Sequence, residues 1–172
     1  MKIYTKVGDK GSTSLLNKKI SKSSSRIDAI GTLDELNSFL GIVISFGIRD
    51  EVGSSLQKTQ SDLFQIGSML VGKKIQFTKR KVARLEKEID LLEKKLPKLK
   101  NFVFPGGEKE ASLLFFARSV ARRLERKIVL LSKKENVPPI LIVYVNRLSD
   151  YLFVLARSEN YKLNPREKIW KM

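Results

Sequence analysis

Four arginines, Arg118, Arg122, Arg123 and Arg126, fall within ASLLFFARSVARRLERKIVLLS, a segment whose apolar spacing predicts a helix. At about 100° per residue, Arg118, Arg122, Glu125 and Arg126 share a sector about 100° wide. Leu113, Leu114, Ala117, Ala121, Leu124 and Ile128 form a separate apolar stripe. One face is therefore fit for a core, and the other is cationic with one embedded carboxylate. Forked guanidinium groups bind phosphate oxygens in pairs, with Glu125 placed to orient one of them. The alternative is a solvated face, but helices that only solvate a surface draw mainly on Lys and Glu.

Two further segments carry groups suited to chemistry. IYTKVGDKGSTSLL, followed by Lys18, Lys19 and Lys22, combines glycine, hydroxyls and lysine ahead of the first helix. Gly8 and Gly11 allow a tight turn whose amides can face an anion. Their spacing is not that of a P-loop, so a plain surface turn is the competing reading. In YVNRLSDYLFVLARSEN, Asn146, Ser149, Asp150 and Arg157 interrupt an apolar stretch. Asn146 and Asp150 are four apart and share a helical face; they either reach one ligand or are satisfied inside the bundle, Asp150 by Arg147.

Composition narrows the chemistry. The chain has no Cys and no His, which excludes thiol nucleophiles, imidazole bases and the usual zinc sites. Lys and Arg number 34 against 18 Asp and Glu, a formal charge of +16, so phosphate-bearing partners are favoured. Nucleic acid is a rival on charge alone, yet the arginine segment offers little aromatic surface nearby for base stacking. Much of the lysine sits beside glutamate, as in KRKVARLEKEIDLLEKKLPKLK, which also reads as a solvated surface. The apolar stretch from Phe39 to Ile48 is half of a membrane span, and MKIYTKVGDKGS lacks the core of a signal peptide. The expectation is a cytoplasmic protein with neither a membrane nor a nucleic-acid partner.

The positioning elements are five predicted helices in one all-α domain spanning 1–172. An N-terminal loop covers 1–26, a helical bundle 27–161, and a C-terminal tail 162–172. The first helix runs from Ile27 to Gly47, and the second from about Asp50, a plausible N-cap, to Leu70. Thr78 can cap a third, through about Leu96, which Pro97 ends. PKLKNFVFPGG reads as an ordered loop. The arginine helix follows from about Glu108 to Ser132, and the fifth helix from Pro138-Pro139 to about Tyr161. ILIVYV, at Ile140 to Val145, resembles a strand in isolation but has no partner strand of similar quality, so it is assigned to the fifth helix.

Taken together, TKVGDKGST at 5–13, GTLDELN at 31–37, FPGG at 104–107, ARSVARRLER at 117–126 and NRLSDYLF at 146–153 resemble the PduO-type family of ATP:cob(I)alamin adenosyltransferases. The resemblance covers essentially the whole chain. It implies a five-helix bundle assembled as a homotrimer, with ATP and cobalamin as substrates and Mg²⁺ entering with the nucleotide. The implied reaction transfers the 5′-deoxyadenosyl group of ATP to the cobalt of a reduced corrinoid. By similarity, Thr5, Lys6, Val7, Gly8, Thr13 and Ser14 wrap the nucleotide and Lys22 reaches phosphate. Arg122, Arg123, Glu125, Arg126 and Asn146 complete that site.

The resemblance also pairs Asp34 with Arg118 across a subunit interface, and makes Phe102 the aromatic that displaces the lower cobalt ligand. It implies a flavin-type reductase and a cobalamin-dependent enzyme as partners. Val7 and Phe115 depart from the residues common in the family, as do Glu108 and Lys109 after the two glycines. Two other functions remain open at this point: a basic helical nucleic-acid-binding protein, and an ATP-binding corrinoid chaperone or regulator without turnover.

Overall fold

Ser24 starts the helical part of the chain: its hydroxyl accepts from the Ile27 amide at 3.3 Å, satisfying one donor that a helix start leaves unpaired. The structure, a computed structural model, describes residues 4, 6, 8–16, 18–163 and 168–170, the side chain of Leu163 aside. Five helices carry the all-α architecture: α1 (Ser25–Ser45), α2 (Asp50–Val71), α3 (Lys79–Glu93), α4 (Lys109–Ser132) and α5 (Pro139–Leu163). Ahead of them β1 (Ser12–Leu15) and β2 (Lys18–Ser21) form an antiparallel hairpin with Thr13 opposite Ile20. A second pair joins β3 (Phe102–Val103) to β4 (Ile169–Trp170), also antiparallel.

The helix ends differ from the sequence-based expectation in ways that follow from capping. Arg49, not Asp50, occupies the N-cap of α2; Asp50 and Glu51 instead sit in the first turn, where carboxylates meet the positive end of the helix dipole. Gly72 closes α2 at φ 110°, its amide and that of Lys73 donating to the Met69 and Ser68 carbonyls at 2.9 Å each. Thr78 does hold the N-cap position of α3, but its hydroxyl makes no capping bond. α3 stops at Glu93 rather than Leu96 because the chain tightens into turn bonds, Lys95 to Leu92 at 3.0 Å and Leu96 to Glu93 at 3.1 Å. The β3 pairing inside the PKLKNFVFPGG loop was too short to leave a pattern in the sequence.

The helices run alternately up and down. Lys127 near the end of α4 pairs with Asp28 at the start of α1, and Phe116 meets Phe39 with ring centroids 4.7 Å apart. α4 therefore lies antiparallel to α1. Leu114, Ala117, Ala121, Leu124 and Ile128 are fully buried, as the predicted stripe requires, with Leu113 partly buried beside them. Opposite them α5 contributes Leu141, Tyr144, Val145, Leu148 and Leu152. The ILIVYV run is thus helical and internal. By length and composition Pro139–Lys162 would suffice to cross a membrane, yet 56% of its most apolar window is covered by the bundle.

A charged cluster ties α2, α3 and α5 below that core. Asp62, 4% exposed, pairs with Lys81, accepts from Arg84 at 2.9 Å and accepts from the Tyr144 hydroxyl at 2.9 Å. Burial, reinforced by Asp62, pushes the Tyr144 pKa far above its ordinary value, so the phenol remains a donor. Removing the carboxylate would leave two cations and a hydroxyl facing an apolar pocket. Asp62→Ala is expected to lose about 3 kcal/mol of stability, read as a lowered urea midpoint, whereas the surface pair variant Glu86→Ala should change it by under about 1 kcal/mol.

Candidate functional site

α4 sorts its cations into two groups. Arg123 pairs with Glu35 and Lys127 with Asp28, both on α1, so these two fasten helix to helix. Arg118 lies over the Phe153 ring of α5, 5.0 Å from its centroid. Its pKa is lowered, first by burial and then by repulsion from Arg122, with Asp150 opposing both. Arg122 and Arg126 are exposed and, among the described residues, meet no carboxylate within ion-pair distance. A repelled guanidinium beside two unpaired ones is an arrangement that an added polyanion would relieve.

Glu125 does not orient an arginine in this structure. Its Oε1 accepts from Asn146 Nδ2 of α5 at 2.9 Å, which brings two predicted site residues together and fixes the amide of Asn146. Asn146 and Asp150 do not converge on a shared target. Asp150 accepts from Arg147 Nη1 at 2.8 Å, the bundle-internal alternative that the sequence allowed. Asp34 is exposed on α1 and has no ion-pair partner among the described residues of a single chain.

The N-terminal segment is a stitched hairpin rather than a loose turn. The Lys22 amide donates to the Gly11 carbonyl at 2.9 Å, and the Gly11 amide to the Gly8 carbonyl at 3.2 Å. Gly11 has φ 75° and Lys6 φ 59°. Lys22 folds back over Gly8, so closely that a Cβ on Gly8 would lie 3.1 Å from Lys22 Nζ. Gly8 and Lys22, fourteen positions apart, thus form one cationic turn, with Thr13 and Ser14 on β1 beside it. Thr5 and Val7 lie outside the described residues.

At the opposite end of the bundle Phe102 is 70% exposed and meets Trp170 with centroids 6.1 Å apart. The turn after it depends on a residue that gave no signal in the sequence. Asn160, near the end of α5, donates through Nδ2 to the Gly106 carbonyl at 2.7 Å and accepts from the Glu108 amide at 2.8 Å. Gly107 has φ 105°, and any Cβ there would overlap the Asn160 amide group. Arg26 and Glu135, which join the start of α1 to the α4–α5 connection, were likewise unmarked in the sequence. No group of three or more carboxylates capable of holding a metal occurs among the described residues.

The family profile described as cobalamin adenosyltransferase matches residues 3–159. The corrinoid adenosyltransferase of Bacillus subtilis is 42% identical over 169 residues, covering 93% of this chain and 87% of that protein. The corrinoid adenosyltransferase PduO of Citrobacter freundii is 37% identical over 180 residues; the alignment takes in 100% of this chain and 54% of that longer protein. Among solved structures, a variant PduO-type ATP:corrinoid adenosyltransferase from Lactobacillus reuteri, complexed with cobalamin and ATP, superposes with a TM-score of 0.95 at 34% identity, covering 99% of this chain and 100% of that one.

The Gly106-Gly107 turn provides a direct check of the loop geometry. Gly107→Ala is expected to cost about 2 kcal/mol, from backbone strain and from displacing Asn160, whereas Gly31→Ala, where a Cβ meets nothing within 4 Å, should not destabilise; urea midpoints compare the two.

Proposed function

This chain belongs to the cobalamin adenosyltransferase family, and from that premise we propose how its residues carry the reaction. The protein is an ATP:corrinoid adenosyltransferase. The reduced cobalt donates an electron pair to C5′ of ATP, the C5′–O5′ bond breaks, and triphosphate leaves as a Co–C bond forms. The nucleophile belongs to the corrinoid, so a chain without Cys or His lacks nothing that the step requires. What the chain supplies is alignment of C5′ and neutralisation of the charge that grows on the leaving triphosphate.

The observation that carries this assignment is the pair of exposed guanidinium groups, Arg122 and Arg126, without a carboxylate partner among the described residues, on the face of α4 that also holds Arg118. They are the proposed triphosphate grip, with Lys22 over Gly8 and the hydroxyls of Thr13 and Ser14 as the second wall. By family resemblance Thr5, Lys6 and Val7 are proposed to contact the nucleotide as well. Glu125 acts by fixing Asn146, and Arg123, tied to Glu35, supports the grip from its base. Mg²⁺ would enter on the phosphates. Phe102, exposed in its loop, is proposed to approach the lower face of the corrinoid.

The hairpin stands at the α1 start and Phe102 at the other end of the bundle, separated by about 30 Å, the length of a twenty-residue helix. A site that uses both is most directly assembled from different chains. That supports a homotrimer in which Asp34 of one subunit meets Arg118 of the next, relieving the burial and repulsion on that guanidinium. We read residues 1–172 as one such domain, of a soluble cytoplasmic protein, supplied with electrons by a flavin-type reductase and delivering product to a cobalamin-dependent enzyme.

The test is an anaerobic assay of cob(I)alamin with MgATP, following the corrinoid's visible absorbance and measuring triphosphate as co-product. Arg122→Ala is expected to lower kcat/KM by about 100-fold with the unfolding midpoint unchanged, and Arg123→Ala by less. Absence of adenosylcobalamin with a competent reductant would refute the assignment. Sedimentation equilibrium should give three times the 19.6 kDa chain mass, and Asp34→Arg should reduce it. A monomer at working concentration would remove the composite site.

A further inference from the structure

The hairpin that begins the proposed nucleotide site is fastened to the bundle at few points. β1 and β2 pair with each other, and a cleft of about 510 Å³, lined by Leu15, Leu16, Ile20, Arg26, Val71 and Glu135, separates them from the ends of α2 and α4. Leu16 reaches across it to rest on Gly72, whose Cβ, if it had one, would lie 3.3 Å from Leu16 Cδ1. Arg26, in the first turn of α1, stands at the root of the hairpin, four residues beyond Lys22. Its Nε donates to Glu135 Oε2 at 2.8 Å, one terminal nitrogen donates to the same oxygen, and the other donates to the Leu70 carbonyl.

That carbonyl is one of the last four of α2, which the helix itself cannot satisfy. The Ser68 and Met69 carbonyls are taken by the Lys73 and Gly72 amides, and Arg26 takes the third. One guanidinium therefore joins the start of α1, the end of α2 and the α4–α5 connection at the root of the hairpin. Its plane is fixed by three donated bonds, which tie the first turn of α1, from which the chain runs back through Ser24 and Lys22 to β2, to the end of α2 and to Glu135. A lysine would keep the charge but not the plane.

We propose that Arg26 and Glu135 form a positioning latch that sets the hairpin against the bundle and so holds Lys22 and the Gly8 turn where triphosphate binds. The proposal rests on the reading of the hairpin as one wall of the ATP site. Neither residue is on the arginine face, so the latch acts through the hairpin and not on the nucleotide. Losing it widens the range of hairpin orientations, which weakens ATP binding while leaving the chemical step and the corrinoid end of the bundle as they were.

The experiment compares the full-length protein with Arg26→Ala, Arg26→Lys, Glu135→Gln and the double variant Arg26→Ala/Glu135→Ala. Expected are a rise of about tenfold in KM for ATP, with kcat and KM for the corrinoid changing by less than about twofold. Arg26→Lys should recover only part of the loss. The double variant should be no worse than Arg26→Ala, because both changes break one interaction. Amide hydrogen exchange of the ATP-free protein over residues 12–21 should accelerate in Arg26→Ala and Glu135→Gln, while exchange in α4 stays unchanged.

Hairpin exchange identical to the parent, or a lowered unfolding midpoint with KM for ATP unmoved, would overturn the latch. The exchange measurement needs no turnover. A parent protein that failed to adenosylate would therefore count against the enzymatic reading without touching the latch, and a parent that adenosylates with an insensitive hairpin would count against the latch alone. Should Arg26→Ala fail to fold, Glu135→Gln, which keeps the size and an acceptor oxygen, carries the same comparison.

Discussion

The burial of one stripe of α4 is the constraint on which the rest of the structure depends. Leu114, Ala117, Ala121, Leu124, Ile128 and Leu131 lie against α1 and α5 with no exposed surface. A helix offers each residue about 100° of rotation from the last, so once that stripe is committed every polar position on α4 is assigned. Arg123 and Lys127 are turned towards α1, where Glu35 and Asp28 receive them. Arg118, Arg122 and Arg126 are turned away from it. The proposed phosphate-binding face is the remainder of the core, not a feature added to it.

A net charge of +16 then stops being a single quantity. Some cations are structural: Lys81 and Arg84 hold Asp62, Arg147 holds Glu86 and Asp150, and Arg26 holds Glu135. These pairs are partly buried or span elements, and they fix geometry more than they stabilise. Arg122 and Arg126 are different in kind because, among the described residues, the fold gives them neither a carboxylate within ion-pair distance nor burial. In the free chain Arg122 repels Arg118, a cost that a triphosphate bound at the proposed site would turn into favourable interaction. Binding and leaving-group stabilisation draw on the same charge, which grows in importance as the C5′–O5′ bond breaks.

How far this was legible in the sequence follows from range. Patterns that repeat within one helix were readable: the α4 stripe and the first three helices rest on spacing of three and four, while ILIVYV was assigned to a helix because no strand of similar quality could pair with it. Features that depend on a partner from another element were not. Glu125 looked like an orienter of arginine because its neighbours on α4 are arginines, yet Asn146 on α5 is what reaches it. Lys22 and Gly8 were read side by side as loose components, and only the hairpin shows one lying over the other. Asn160, Arg26 and Glu135 carry no local signature, since what each one binds lies tens of residues away. The family resemblance supplied roles for Phe102 and Asp34 that neither spacing nor burial would have assigned.

The reaction makes that division consequential. A substrate that brings its own nucleophile asks the chain for no acid, base or attacking group, so catalytic power rests on where phosphate, ribose and corrinoid are held. Holding is a property of long-range contacts. In an enzyme with a catalytic His or Cys the sequence announces the group that matters most. Here the arginines are announced, but in the proposed site whether C5′ lies over cobalt would depend on how the hairpin leaves α1 and how the Gly106-Gly107 turn is clamped by Asn160. Residues that never touch substrate therefore stand closer to the chemistry in this fold than their distance from it suggests.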